Sequence, residues 1–359
     1  MNLSVKLGNR ELQLPLIQGG MGVGISLSSL AGAVMKQGGM GVISAAHPGY
    51  KKDDFYANSV ACNVEAIREE VQKAKMLSNG QGLCGVNIMV ASKDYDTYVD
   101  AAVKAGADAI ISGAGLPLHL PKLVKNKEIL LAPIVSSGRA VSLILKTWDR
   151  HYHRLPDFIV VEGSKAGGHL GFKKEDILHG EVASLEMLLQ EVLEAVDKHC
   201  KKKKRIPVFV AGGIFDKEDI AHFLSLGASG VQMATRFIAT EECDAHENFK
   251  QAILSAKKDD LILVKSPAGL PGRAVKNTFM QNIMDGASIK PKHCISCMKP
   301  CVPSNTPYCI SEALIHAVRG EMEEALVFAG SNAYRIHEIT TVEKLIHELF
   351  SFYDKEEQQ

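Results

Sequence analysis

The residues best equipped for chemistry gather around one histidine. His169 ends the run VVEGSKAGGH, in which an apolar stretch stops at Glu162 and opens into a turn containing Gly167 and Gly168. An imidazole near its ordinary pKa of about 6.5 accepts or donates a proton at neutral pH, which makes His169 the candidate acid–base residue. Glu162 reads as an ordinary strand-end carboxylate, a brace for the loop or an acceptor for a ligand hydroxyl. Two more turns, AGGI over 211–214 and Ala234-Thr235-Arg236, also follow apolar runs. The backbone N–H groups of Gly212, Gly213, Ala234 and Thr235, with the Thr235 hydroxyl, suit a phosphate dianion, because glycine permits left-handed backbone and close approach. Either turn alone could be a plain tight turn; the pair at successive strand ends favours the anion site.

The elements that must position these groups alternate regularly. Apolar strand-like runs at 12–19, 40–44, 83–90, 108–115, 129–137, 156–163, 206–214 and 229–234 are separated by amphipathic helical stretches, with short Gly-rich turns after most strands. Eight such units predict a TIM-type (β/α)8 barrel. A doubly wound open sheet would need fewer strands. Ser26 is placed as the N-cap of the first helix and Gly38–Gly39 as its end. Such a barrel presents its site at the C-terminal strand ends, with phosphate after strands seven and eight. A planar ring over the axis would then meet Gly19, Gly20, Met21 and Glu162, with Asn87 at its edge.

The alternation breaks after about residue 245. A helix is expected over 246–258, SPAGLPGRAVKN is too rich in turn residues for a regular element, and helices follow at SEALIHAVRG and VEKLIHELFSFY. The division expected is a barrel over 1–240, a small C-terminal capping subdomain over 241–330, and a C-terminal helix over 331–359 returning to the barrel. Within the cap, Cys294, Cys297, Cys301 and Cys309 form C-x2-C-x3-C-x7-C. Thiolates at that spacing suit a four-iron four-sulfur cluster or zinc, with His293 as a substitute ligand; reduced thiols without metal are the alternative. Cys62, Cys84, Cys200 and Cys243 lack such spacing.

With 41 basic and 41 acidic residues, the chain has no whole-molecule attraction to nucleic acid or an anionic membrane. KKKKR at 201–205 is expected to be a solvated helix-end loop. The first residues lack a secretory pattern and no long apolar run appears, so a cytoplasmic location is expected, with no membrane partner.

Together, QGGM (18–21), GVNIMV (85–90), EGSKAGGHLG (162–171), AGGI (211–214), MATRF (233–237) and SPAGLPGR (266–273) resemble the nitronate monooxygenase family. This family, also called 2-nitropropane dioxygenase-like, includes flavin-dependent enoyl-acyl-carrier-protein reductases. The resemblance spans about residues 10–275 and implies FMN in the barrel. It implies that Gln18, Gly19, Gly20, Met21 and Asn87 contact the isoalloxazine and that Gly212, Gly213, Ala234 and Thr235 bind the phosphate. Glu162, Gly167 and Gly168 border the same cofactor, and His169 matches the catalytic histidine. The implied activity is oxidation of an alkyl nitronate at flavin N5 with oxygen as reoxidant; the second is reduction of an enoyl thioester, which alone would require NAD(P)H. A flavin-binding redox sensor without turnover is the reading from another class. A purine-nucleotide dehydrogenase-like barrel would require a nucleophilic cysteine where this chain carries His169. The partner expected is a small-molecule substrate; a homodimer is compatible with the sequence.

Overall fold

The computed structural model describes residues 3–201 and 205–351. Lys202–Lys204, the centre of the basic run, lie outside the described residues, as do the last residues of the SFY segment. Eight parallel strands close a barrel: β1 (Leu16–Gln18), β2 (Met40–Ser44), β3 (Leu83–Met89), β4 (Ala109–Gly113), β5 (Leu130–Val135), β6 (Ile159–Glu162), β7 (Val208–Ala211) and β8 (Gly230–Met233). β8 pairs with β1 through Val231–Leu16, Gln232–Ile17 and Met233–Gln18, which completes the closure. Ile17, Met40, Val42, Ile111, Val160 and Phe209 fill the interior. The hairpin Val5–Leu7 and Arg10–Leu12 adds Leu7 and Leu12 to that cluster. The expected barrel is therefore the observed one.

Helices α1 (Ser28–Lys36), α2 (Ser59–Leu77), α3 (Tyr95–Lys104), α4 (Leu120–Leu123), α5 (Gly138–Tyr152), α6 (Leu185–Cys200) and α7 (Lys217–Ser225) follow strands β1 to β7. After β8 comes only the short turn of helix Thr235–Ile238. Val342–Phe350, here α10, packs against both α7 and α1. Its apolar residues Val342, Leu345, Ile346, Leu349 and Phe350 recur at helical spacing and join the core between strands and helices. The last described helix thus occupies the eighth helical position of the barrel, and the chain between leaves and returns.

That excursion contains α8 (Glu247–Leu254), α9 (Ile310–Arg319) and two strands, β9 (Leu261–Lys265) and β10 (Pro271–Val275). The strand β10 corrects the expectation of irregular structure in SPAGLPGRAVKN. Its regularity comes from its partners: β9 pairs with it in antiparallel register, and on its other edge Gly272 pairs with His169 and Arg273 with Gly168. The hairpin with β9 is local, and its turn residues masked it in the sequence; only the edge paired to Gly168 and His169 is fixed by residues about a hundred positions away.

A second correction concerns α1. Ser26 is not its cap: the Ser26 hydroxyl accepts from Met21 N–H at 2.8 Å and so braces the Gly-rich turn after β1. The Asp244 carboxylate instead accepts from Leu27 N–H at 2.8 Å, Leu30 N–H at 3.2 Å and Ser29 N–H at 3.3 Å. A carboxylate at a helix N-terminus satisfies orphan donors and complements the dipole. The excursion is thereby tied to the barrel's first turn. Among the described residues no helix is long and apolar enough to cross a membrane.

Candidate active site

Parallel strands turn their C-terminal ends to one face, and there the structure places two adjoining chambers. The larger, about 200 Å³, is lined by Gly19, Gly20, Met21, Asn87, Glu162, Gly167, Gly168, His169, Ala234 and Thr235. The excursion roofs it with Leu314, Phe328 and Ala329. The smaller, about 70 Å³, lies between the β6, β7 and β8 loops and includes Gly212 and Gly213. Glu162, Gly167, Ala234 and Thr235 border both. Eleven of the twelve residues expected around a cofactor, together with His169, therefore line one continuous space.

Gln18 is the exception. It is fully buried outside that lining, donating from Nε2 to the Gly19 carbonyl and accepting from Val42 N–H at 3.0 Å through Oε1. Each end of its amide makes one protein hydrogen bond, so the side chain braces β1 against β2. Its neighbour Gly20 explains the tight turn: a Cβ there would stand 2.5 Å from Asn87 Cβ.

The larger chamber is largely apolar, walled by Met21, Ile25, Met89, Ile134, Ile238 and Phe328. Into it project groups with unspent valences: the Asn87 amide and the Glu162 carboxyl have no side-chain partner among the described residues. Burial without a compensating cation pushes the Glu162 carboxyl up to about 7. His169 Nε2 is bonded to Ser266 Oγ at 2.8 Å, and its ring meets Phe328 edge-on at 5.3 Å. Burial lowers its pKa to about 4. That corrects the expectation of an ordinary value near 6.5: the imidazole is neutral at pH 7, one nitrogen held by a serine and Nδ1 left without a protein partner among the described residues.

The smaller chamber has the opposite character. Gly212 and Gly213 adopt φ of +92° and +107°. A Cβ on Gly212 would come within 2.7 Å of the Gly163 carbonyl oxygen, so only glycine fits. The backbone N–H groups of Gly212, Gly213, Ala234 and Thr235 have no acceptor among the described residues. Thr235 Oγ1 accepts from Gly330 N–H at 3.0 Å, which leaves its own proton free to donate. Four unspent N–H donors and a hydroxyl around a small chamber are the donor set of a phosphate site. Beneath them Arg273, only 8% exposed, holds the β6 loop through the carbonyls of Ser164 and Ala166.

Sequence reasoning missed Ser266, Phe328 and Ser331. Ser266 stood in a quoted motif without a role, and the GSN turn at 330–332 was the one local sign that the segment after Phe328 bends back toward the loops.

The four spaced cysteines line neither chamber. No three Cys, His, Asp or Glu side chains among the described residues stand where they could hold a metal ion. Cys294 is exposed, Cys297 Sγ turns to Ser311 Oγ at 3.1 Å, and Cys309 precedes α9. The substitute ligand His293 packs its ring against Tyr56. Cys297 nonetheless stands within electrostatic reach of Cys294, Cys301 and Cys309, so the four thiols share one region of the excursion.

Comparison with known proteins agrees with this architecture. A family profile described as nitronate monooxygenase matches residues 4–351. A probable nitronate monooxygenase of Staphylococcus haemolyticus is 27% identical over 308 residues, covering 76% of this chain and 78% of that protein. Among solved structures, FabK from Thermotoga maritima superposes with a TM-score of 0.72 at 24% identity, covering 96% of this chain and 94% of its own. Nitroalkane oxidase from Streptomyces ansochromogenes gives 0.71 at 22% identity, covering 94% and 95%. At those identities the structural likeness is one of fold. The profile match extends over nearly the whole described chain, and the chain belongs to the nitronate monooxygenase family.

Proposed function

We propose that this chain is an FMN-dependent oxidoreductase that oxidises an alkyl nitronate with oxygen as reoxidant. The observation carrying the reading is the pairing of the two chambers: one rich in unspent N–H donors, the other apolar with a neutral imidazole, sharing a wall at Glu162, Gly167, Ala234 and Thr235. That donor set fits the phosphate of FMN, held by Gly212, Gly213, Ala234 and Thr235. The shared wall suits the ribityl chain, with Glu162 as a hydroxyl acceptor, and the apolar chamber suits the ring, with Asn87 at its edge. The chemistry FMN supplies when bound is acceptance of electrons from the substrate anion, with oxygen as their final acceptor.

The chain's own groups do the rest. The apolar wall excludes water from the reacting centre. Ser266 fixes one nitrogen of His169 and leaves Nδ1 for the substrate. A nitronate anion beside that imidazole favours its protonated form, so substrate binding is coupled to proton uptake at His169. Against a neutral nitro compound the same nitrogen acts as a base.

The wall of Ile25, Ile238, Leu314 and Phe328 also suits an acyl chain, which supports NAD(P)H-dependent reduction of an enoyl thioester as the second reading. Anaerobic mixing of the flavin-loaded chain distinguishes them. Rapid loss of flavin absorbance with an alkyl nitronate and not with NADPH is the expected result. Bleaching by NADPH alone would replace the first reading with the second, and bleaching by neither would leave a flavin-binding sensor.

A further inference from the structure

The smaller chamber is closed from above by a turn of the excursion that no residue motif had assigned to it. Gly330–Ala333 is stitched to each of the three loops beneath. Ser331 N–H donates to the Lys165 carbonyl at 3.0 Å on the β6 loop, and Asn332 Nδ2 to the Gly213 carbonyl at 2.7 Å on the β7 loop. Gly330 N–H donates to Thr235 Oγ1 at 3.0 Å after β8. Approach is close: a Cβ on Gly167 would stand 2.5 Å from the Ala329 carbonyl carbon.

With the turn's backbone and its asparagine so occupied, one polar group is left over. The Ser331 hydroxyl is buried and has no hydrogen-bond partner, the one side-chain atom in that condition among the described residues. Buried polar groups are nearly always satisfied, and an orphan calls for a missing partner. Ser331 lines the same chamber as the unspent N–H groups of Gly212, Gly213, Ala234 and Thr235. Lys165 and Arg236 are the cations of the lining; Arg236 is spent on Glu348 and the Phe215 carbonyl.

We propose that the Gly330–Ala333 turn completes a phosphate-monoester site, with the Ser331 hydroxyl donating to the phosphate from the side opposite the β7 and β8 loops. In naming the ligand as the FMN phosphate this rests on the proposed flavin reading; the recognition of a phosphate monoester does not. One consequence is that bound phosphate ties the excursion to the barrel, because donors to a single anion come from both.

The test measures the affinity of the full chain, freed of flavin, for FMN and for riboflavin, which lacks the phosphate, together with thermal stabilisation by inorganic phosphate. Ser331→Ala is expected to weaken FMN by about tenfold or more, the scale of a hydrogen bond to a charged group. Riboflavin affinity should be unchanged, which shows that the variant is folded, and Ser331→Thr should restore FMN. Equal losses for both flavins, or no loss for either, would overturn the proposal. If the parent binds neither flavin, the flavin reading falls. The phosphate site then stands only if inorganic phosphate raises the parent's melting temperature and fails to raise that of Ser331→Ala.

Discussion

Two histidines of this chain have almost the same surroundings and opposite prospects. His169 and His47 each present Nε2 to a serine hydroxyl, at 2.8 Å to Ser266 and 2.9 Å to Ser311. Each meets a phenylalanine edge-on, Phe328 at 5.3 Å and Phe55 at 5.8 Å. Burial lowers both to about 4. The difference lies in the second nitrogen. Nδ1 of His47 is met by Asn63 Nδ2 at 3.4 Å, and that asparagine is itself fixed by Tyr98 and Gly49. His169 keeps the nitrogen unspent and faces a chamber with room for a ligand. A buried imidazole bonded to serine is thus a structural fitting by default, and it becomes chemical only where one nitrogen and some volume are left over.

Breaking each histidine in turn should separate the two roles. His169→Asn is expected to lower turnover by about a hundredfold or more, the usual scale for a proton-handling group, while flavin content and melting temperature change little. His47→Ala should do the reverse. It removes one partner each from Ser311 and Asn63 and leaves a cavity in place of a buried ring, for a loss of about 1–3 kcal/mol read from the denaturant midpoint, with turnover per folded molecule intact. Normal turnover in His169→Asn with the parent's substrates would remove the distinction.

The serines sharpen it. Ser266→Ala should lower kcat by about tenfold with KM little changed, and Ser266→Thr should recover most of that; Ser311→Ala should lower stability alone. Equal effects of the two serine variants on kcat would mean that the hydroxyl partner does not orient the reacting imidazole.

A smaller effect comes from Glu162, the other titratable group of the chamber. Its folded pKa is raised to about 7 by burial, above the ordinary carboxylate value. The folded state therefore binds the proton more tightly, and stability declines as pH rises from about 4 through 7. Glu162→Gln should raise the melting temperature of the flavin-free protein at pH 8 and leave it nearly unchanged at pH 4. The histidines have the opposite sign. With folded values near 4 and ordinary values near 6.5, each costs stability as pH falls through that window. Replacing His47 by a neutral residue should flatten the acid limb. An equal stabilisation by Glu162→Gln at both pH values would show that the carboxyl is not the strained group.

How much of this was legible beforehand depended on the range of the determining contacts. The barrel could be read because each β-then-α unit carries its own apolar run and turn, and the loops after β6, β7 and β8 fall where barrel geometry puts them. His169 was legible for that reason. His47, also shortly after a strand, carries no local mark of its sealed fate, since Ser311 lies 264 residues away. The same distance problem hid Asp244 as the cap of α1 and Ser266 and Ser331 as neighbours of the site, whereas β10 was hidden by the turn residues of its own hairpin with β9. Gln18 differs from the glycines it adjoins: side chains alternate along a strand, so its own lies on the side opposite Ile17, where it accepts from Val42 N–H. The cysteine spacing is legible in the sequence, but the orientation of the four thiols, which decides whether they serve as ligands, is not set by spacing.

The most direct measurement compares anaerobic flavin reduction by an alkyl nitronate in the parent, His169→Asn and His47→Asn, each carrying its full complement of FMN. The account predicts a rate about a hundredfold or more lower in His169→Asn and a parental rate in His47→Asn. Parental rates in both, or a comparable loss in both, would contradict the assignment of proton handling to the histidine with the open nitrogen.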